Sequence, residues 1–432
     1  MAEYLESSFQ SWLGRIERLH AKPIDLGLDR VRAVADRLQL KLEVPAIVVG
    51  GTNGKGSTCA MLDSILRAAG FRVGLYTSPH LLDFNERCRV DGASATDEAL
   101  VEQFEAVEAA RGSTSLTYFE FTTLAILRLF GRAPLDAVVL EIGLGGRLDA
   151  VNIVDADAAI VTSVDLDHMD YLGPTREQIG FEKAHVYRKG RPAICSDPAP
   201  PQSLLDHASS IGADLWRFGR DFNYQGDRQQ WAYGGRQVRR SGLPYPALRG
   251  ANQMLNAAGA LAALEALGDR LPVSQQAVRQ GLLTVELAGR FQIVPGRPAV
   301  ILDVAHNPHA AAVLAENLDN MGFFPTTHAV FGMLRDKDIA GVIGKLGDRI
   351  DHWHVAPTPG PRGCDSASIA ALLREHGGKS QRPISEYPDL STAYDGARSR
   401  AGADDRILAF GSFLTVAEVM RAIRARPAAT VA

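Results

Sequence analysis

The chain has 432 residues, 46% hydrophobic and 22% charged, which excludes a disordered or fibrous protein and is long enough for two packed cores. Its formal net charge of -4 argues against a nucleic-acid binder that works by phosphate neutralisation, since that needs a concentrated basic face. Four cysteines, Cys59, Cys88, Cys195 and Cys364, are far apart and form no CxxC pair, so they suggest neither a zinc site nor a disulfide framework, and reduced thiols in a cytosol fit them.

The N-terminal stretch MAEYLESSFQSWLGRIERLH carries acids and no apolar core of a signal peptide. No run approaches the ~18 apolar residues of a membrane span, so the expectation is a cytoplasmic protein, neither exported nor membrane-embedded. From Val44 onward β-branched runs alternate with helix-like stretches: PAIVVG, STCAMLDSILRAAG and FRVGLYTS, then LDAVVLEIG, DAAIVTSVD and RPAICSD. Apolar runs of this length, separated by amphipathic segments, predict buried parallel strands in a doubly wound sheet. Trp216 to Gly250 has the alternation and turn residues of an antiparallel hairpin excursion.

A helix is expected from about Asn252 to Leu267, after which AGRFQIVPGRP closes one unit, with the boundary near Pro295 to Pro298. PAVILDVAHNPHAAAVLAENLDNMG then opens a second strand-loop-helix, and THAVFGM, DHWHVAP and DRILAFGS supply further strands. No tandem repeat is visible, and the tail RARPAATVA reads as frayed.

The most informative stretch is Val48-Val49-Gly50-Gly51-Thr52-Asn53-Gly54-Lys55-Gly56-Ser57-Thr58, between a strand and a helix. Glycines let the backbone curl so that successive N–H groups point at phosphate oxygens, the helix N-terminus adds partial positive charge and Lys55 a full one. Thr52, Asn53, Gly54, Lys55, Gly56 and Ser57 are therefore the expected nucleotide cradle. The loop departs from the standard pattern in having Val49 for the first glycine and Gly56 where a hydroxyl residue follows the lysine, which displaces the hydroxyl to Ser57. The fold expected is α/β: a P-loop ATPase domain over residues 1–294 on a doubly wound, mostly parallel sheet, plus a smaller Rossmann-like α/β domain over 298–432.

That loop is followed by Tyr76-Thr77-Ser78-Pro79-His80-Leu81, then Leu140-Glu141-Ile142-Gly143-Leu144-Gly145-Gly146-Arg147-Leu148-Asp149-Ala150, and Asp165-Leu166-Asp167-His168. Ile24 to Leu28, Thr117 to Glu120 and Asp303-Val304-Ala305-His306-Asn307-Pro308 extend the series. In these motifs, in this order, the sequence resembles the folylpolyglutamate synthase/dihydrofolate synthase family of the Mur-ligase superfamily. The resemblance implies that ATP phosphorylates the carboxylate of a pterin-bearing substrate and that the amine of L-glutamate attacks the acyl phosphate, releasing ADP and phosphate.

It also implies a set of roles. Ser78, Glu141 and His168 match the family's Mg2+ ligands. From chemistry alone Asp165 or Asp167 would be the better oxygen donors, and His168 reads as an ordinary loop histidine. Lys183 aligns with a lysine carried as a carbamate, although a lone helical lysine is otherwise a solvated one. Asn256, Arg290 and Asp303, with His306 beside them, match the adenosine site, and Arg290 and Asp303 would lie on opposite domains across the nucleotide. Ile24, Asp25, Leu26 and Gly27, Thr117, Tyr118, Phe119 and Glu120, and Leu148, Asp149 and Ala150 are the pterin candidates, with Asp149 to accept the pterin's donor pair and Phe119 to cover its face. Phe119 also reads, with Phe121, Leu124 and Ile126 to Leu129, as the core face of a helix.

IDLGLDRV together with TYFEF resembles the bifunctional bacterial type, which implies both glutamate addition to dihydropteroate and extension of a folate's γ-glutamyl chain. The same resemblance suggests a monomer. A cell-wall Mur ligase is the competing enzyme, but only about 43 residues precede the first strand, too few for a UDP-binding domain. A P-loop switch that hydrolyses ATP without ligation is the competing reading from another class.

Overall fold

The computed structural model describes residues 8–227, 229–377 and 382–425, so all but the first two residues of the tail expected to fray lie outside it. The described residues fall into two compact units, one within Met1–Ala247 and Met254–Val285, the other within Leu248–Gln253 and Glu286–Ala432. No helix among them is long and apolar enough to cross a membrane.

The first unit is built on β1 (Ala46–Gly50), β2 (Val73–Tyr76), β3 (Cys88–Val90), β4 (Ala93–Ser94), β5 (Ala137–Glu141), β6 (Ala158–Val161), β7 (Pro192–Cys195) and β8 (Asp214–Arg217). They form one sheet in the order β4-β3-β2-β5-β1-β6-β7-β8. The six strands from β2 to β8 in that order run parallel, and β3 and β4 add an antiparallel edge. Every residue of β1, β2, β5 and β6 is buried, which is why these segments read as unbroken apolar runs. Val49 pairs with Glu141 on one side and Ile160 on the other, so the carboxyl ends of β5, β1 and β6 come out side by side.

Helices are started by local chemistry. Thr117 Oγ1 accepts from Glu120 N at 3.2 Å while the Glu120 carboxylate accepts from Thr117 N at 2.8 Å, a reciprocal cap that begins the helix Tyr118–Arg132. Thr175 and Gln178 repeat the device at Arg176–Ala184. Phe121, Leu124, Ile126 and Leu127 point from Tyr118–Arg132 into the core, as their spacing predicts. The excursion after β8 is a three-stranded antiparallel sheet of β9 (Asn223–Gly226), β10 (Trp231–Gly234) and β11 (Arg239–Leu243).

The second unit carries β12 (Gln292–Val294), β13 (Ala299–Asp303), β14 (Thr327–Phe331), β15 (His352–Val355), β16 (Ile384–Glu386) and β17 (Arg406–Phe410), ordered β12-β13-β17-β14-β15-β16. All pairings are parallel except β12 with β13. The Pro295 to Pro298 stretch, read from sequence as a boundary, is the tip of that hairpin: turn residues mark a reversal of the chain as readily as a linker.

Candidate active site

The phosphate loop leaves β1 at Gly50 and reaches the helix Lys55–Ala68 through two residues that only glycine tolerates. Gly51 has φ +139°, and a Cβ there would lie 1.9 Å from Thr162 Oγ1. Gly54, at φ +89°, caps the helix, and a Cβ there would lie 2.5 Å from Asn256 Oδ1. The chain after β6 pins the loop: Thr52 N donates to Ser163 O at 2.7 Å, Asn53 N to Ser163 Oγ at 3.1 Å, and Thr162 Oγ1 to Asn53 O at 2.6 Å. Gly56 and Ser57 fall in the first helical turn, whose N–H groups lack intrahelical partners and favour an anion.

Two lysines converge on this loop. Lys55 Nζ donates to Gly51 O at 3.1 Å and Thr52 O at 3.2 Å, and Lys183 Nζ, from the helix Arg176–Ala184, donates to the same Gly51 carbonyl at 2.9 Å. Lys183 is only 4% exposed. Burial, followed by the neighbouring Lys55 charge, brings its amine down to about 7.

Glu141 ends β5, is 4% exposed, and accepts a hydrogen bond from Ser78 N at 3.0 Å. The loops that follow β2 and β5 are thereby joined beside the phosphate loop. His168, seven residues past β6, adopts a left-handed backbone (φ 52°, ψ 40°) and lies with Nε2 3.9 Å from Asp167 Oδ2. Asp167 also accepts from His168 N at 2.9 Å, whereas Asp165 Oδ1 accepts from Leu166 N at 2.8 Å. Glu141 and the Ser78 hydroxyl on the adjoining loop are oxygen donors of the kind that fits a hard divalent cation.

The first two of the three segments expected to take the pterin are tied together by residues that the sequence did not mark out. Arg30 donates to Asp25 Oδ2 at 2.7 Å and to Glu120 Oε1 at 3.0 Å, bridging the first segment to the second. His20 joins them, with Nε2 3.2 Å from Asp25 Oδ2 and Nδ1 2.7 Å from Ser115 Oγ. The Phe119 ring packs on Gly143, where a Cβ would meet it at 2.5 Å, so the second segment lies on the loop that carries the third. Both Asp149 oxygens accept backbone N–H groups, from Leu144 at 2.8 Å and Val151 at 3.0 Å. Burial raises the Asp149 carboxyl to about 6, against these hydrogen bonds. Asp149 shapes its own loop whatever else it touches.

In the second unit, Asp303 ends β13 and accepts from Phe291 N and Ala305 N, both at 2.8 Å, and burial pushes its carboxyl upward. The Arg290 guanidinium lies 5.0 Å from the centroid of the Phe413 ring, and His306 Nδ1 donates to Val304 O at 2.8 Å. Arg290 and Asp303 thus belong to the same unit, not to opposite domains as expected. The error follows from the misread hairpin, because β12 carries the Gly-Arg-Phe segment into the second sheet.

Comparison with known proteins decides the family. The Mur ligase middle domain matches residues 49–264, and the Mur ligase glutamate ligase domain matches 289–413. The dihydrofolate synthase/folylpolyglutamate synthase of Escherichia coli K12 is 48% identical over 421 residues, covering 97% of this chain and 96% of that protein. The Haemophilus influenzae protein of the same description is 42% identical, covering 95% and 97%. A structure of E. coli FolC in complex with DHPP and ADP superposes with a TM-score of 0.92 at 48% identity, covering 97% of this chain and 98% of that one. A bifunctional folylpolyglutamate synthase/dihydrofolate synthase with Mn, AMPPNP and L-glutamate bound gives 0.89 at 45% identity, covering 96% and 98%. The chain belongs to the dihydrofolate synthase/folylpolyglutamate synthase family.

Within this Mur-ligase fold, Thr52 to Ser57, Ser78, Glu141, Lys183 and Asn256 gather around the carboxyl ends of neighbouring strands in the first unit. Arg290, Asp303 and His306 cluster separately in the second. Arg30 escaped sequence reasoning although it stands in the quoted IDLGLDRV. Its signal was an arginine five residues beyond Asp25, in the first turn of the helix Asp29–Arg37, with a buried Glu120 to answer it.

Proposed function

We propose that the protein uses MgATP to phosphorylate the carboxylate of dihydropteroate, or the γ-carboxylate of a folylpolyglutamate, and then joins that carbon to the amine of L-glutamate. A carboxylate repels nucleophiles; phosphorylation supplies a leaving group, and the transferring phosphoryl needs nearby cations to spread its charge. The observation that carries this reading is the convergence of Lys55 and Lys183 on the Gly51 carbonyl, in a glycine-shaped loop beside the Glu141 carboxylate. The ligands of the solved relatives, DHPP with ADP and Mn with AMPPNP and L-glutamate, support it.

Lys55 and the N–H groups of residues 52–57 hold the phosphates. Ser78, Glu141 and His168 would hold Mg2+, which when bound neutralises charge on the transferring phosphoryl. Lys183 carries a carbamate: its neutral amine attacks the carbon of CO2, a C–N bond forms, and a proton leaves to solvent. The resulting anion helps hold the metal and orients the incoming amine. Asn256, Arg290 and Asp303 take the adenosine, with His306 alongside, and the Ile24–Gly27, Thr117–Glu120 and Leu148–Ala150 segments take the pterin. The enzyme acts in the cytoplasm as a monomer.

The test supplies ATP, Mg2+ and glutamate with either dihydropteroate or a tetrahydrofolate and separates the products by mass. Dihydrofolate from the first and a γ-glutamyl-extended folate from the second are expected. Phosphate release with neither acceptor nor glutamate present would favour an ATP-hydrolysing switch instead.

A further inference from the structure

The second sheet holds three histidines for which the ligase chemistry has no use. His328 on β14 pairs across from His352 on β15, and His354 follows two residues later, so all three rings stand on one face of the sheet. One coordinating nitrogen of each lies within 4.8 Å of the other two. His354 is fully buried and His328 is 4% exposed.

A chain of protons alone could satisfy two of these rings, from the Tyr387 hydroxyl, 3.0 Å from His354 Nδ1, through His354 and His328 to Asp405. His352 stands outside that chain. Its ring stacks on His354 with centroids 4.5 Å apart, and its Nε2 accepts from Arg400 Nη1 at 2.8 Å, beside Ser385 Oγ at 3.2 Å. The nitrogen lone pair of His352 is therefore already turned toward a cation.

The spacing of the other two is that of ligands. His328 Nδ1 and His354 Nε2 are 3.3 Å apart. Two nitrogens bound tetrahedrally to Zn2+ at about 2.0–2.1 Å are separated by about 3.3–3.4 Å. Asp405 Oδ2 lies 3.7 Å from His328 Nε2, an ion-pair distance from which its charge favours the ring proton on that nitrogen and leaves Nδ1 to a metal.

We propose that His328, His352 and His354 form a second metal site, for a late first-row divalent cation such as Zn2+, lying in the second unit and distinct from the Mg2+ of the ligase reaction. Three imidazoles prefer Zn2+, Ni2+ or Cu2+ and discriminate against Mg2+, so the site fills without drawing on the catalytic ion. The bound ion clips β14 to β15. Arg400 is exposed, and its guanidinium is the competing cation that the metal displaces from His352.

The experiment uses untagged full-length protein equilibrated with Zn2+ in millimolar Mg2+, dialysed and assayed for metal by mass spectrometry. One Zn2+ per chain is expected, with affinity falling at least about tenfold in His352→Gln and in His354→Gln. Arg400→Gln, which removes a charge and no ligand, should bind Zn2+ several-fold more tightly. Co2+ in place of Zn2+ should give a visible spectrum of nitrogen coordination that the His352→Gln variant loses. Absence of retained Zn2+ overturns the proposal, as does retention unchanged by His352→Gln, which would put the ion elsewhere. If His354→Gln fails to fold, the half-buried His352 and exposed Arg400 variants decide alone, and unchanged affinity in His352→Gln still overturns it.

Discussion

Lys183 offers a prediction whose size follows from its surroundings. Its amine titrates at about 7, against 10.5 for an unperturbed lysine, because burial and the adjacent Lys55 disfavour the charged form. The sign is that of a lowered lysine: the amine is protonated below about 7 and neutral above it, and only the neutral form attacks CO2. We hold the enzyme at low pH without CO2 to strip the carbamate, then return it to fixed dissolved CO2 at pH values from 6 to 8 and follow the recovery of ligase activity. The neutral fraction rises from roughly a tenth to roughly nine-tenths across that interval, so the recovery rate should rise about tenfold and flatten. A solvated lysine at 10.5 would give about a hundredfold rise with no plateau. That steeper curve would refute the lowered amine, and full activity in Lys183→Ala would remove the carbamate from the mechanism. Partial rescue of Lys183→Ala by short-chain carboxylic acids is the expected companion result.

Glu141→Gln keeps an acceptor for Ser78 N but removes the charge offered to the cation, so ligation should fall about a hundredfold or more with little change in the melting temperature; activity within threefold of wild type would exclude Glu141 as a ligand. Gly51→Ala forces a side chain at φ +139° and 1.9 Å from Thr162 Oγ1, a cost on the order of 3 kcal/mol that calorimetry should read as lower stability and nucleotide titration as weakened ATP binding. Arg30→Met unlinks Asp25 from Glu120, so KM for dihydropteroate should rise about tenfold while kcat holds within threefold; equal loss in both would mean that the bridge serves chemistry instead of substrate placement. Asp149→Ala leaves Leu144 N and Val151 N without their acceptor, a cost of about 1–3 kcal/mol each, and should weaken dihydropteroate binding at least about tenfold in direct titration; unchanged affinity would take Asp149 out of the pterin site.

What the sequence made legible follows from the range over which each signal acts. The phosphate loop needs only its own residues: glycines at Gly51 and Gly54, a lysine, and a helix starting at once, all of which the structure forms. Parallel strands announce themselves in the same way, because burial on both faces demands an unbroken apolar run. The β12–β13 hairpin was missed because β12 is only three residues long and PGRP between the strands carries the chemistry of a linker as well as of a turn. That single misreading moved Arg290 to the wrong unit.

Lys183 marks the opposite limit. Nothing within several residues of it distinguishes it from a solvated lysine on the helix Arg176–Ala184; its depressed amine comes from burial and from Lys55, 128 positions earlier in the chain. The two meet because β1 and β6 are neighbours in the sheet, so that the loop after one and the helix after the other share the Gly51 carbonyl. Strand order is a property of the whole sheet and leaves no mark on either segment. The same holds for His328, His352 and His354, where the register of β14 on β15 turns three ordinary strand histidines into a cluster. Local motifs therefore disclose which phosphate chemistry this protein can hold, while the groups that tune it become visible only once the sheet is assembled.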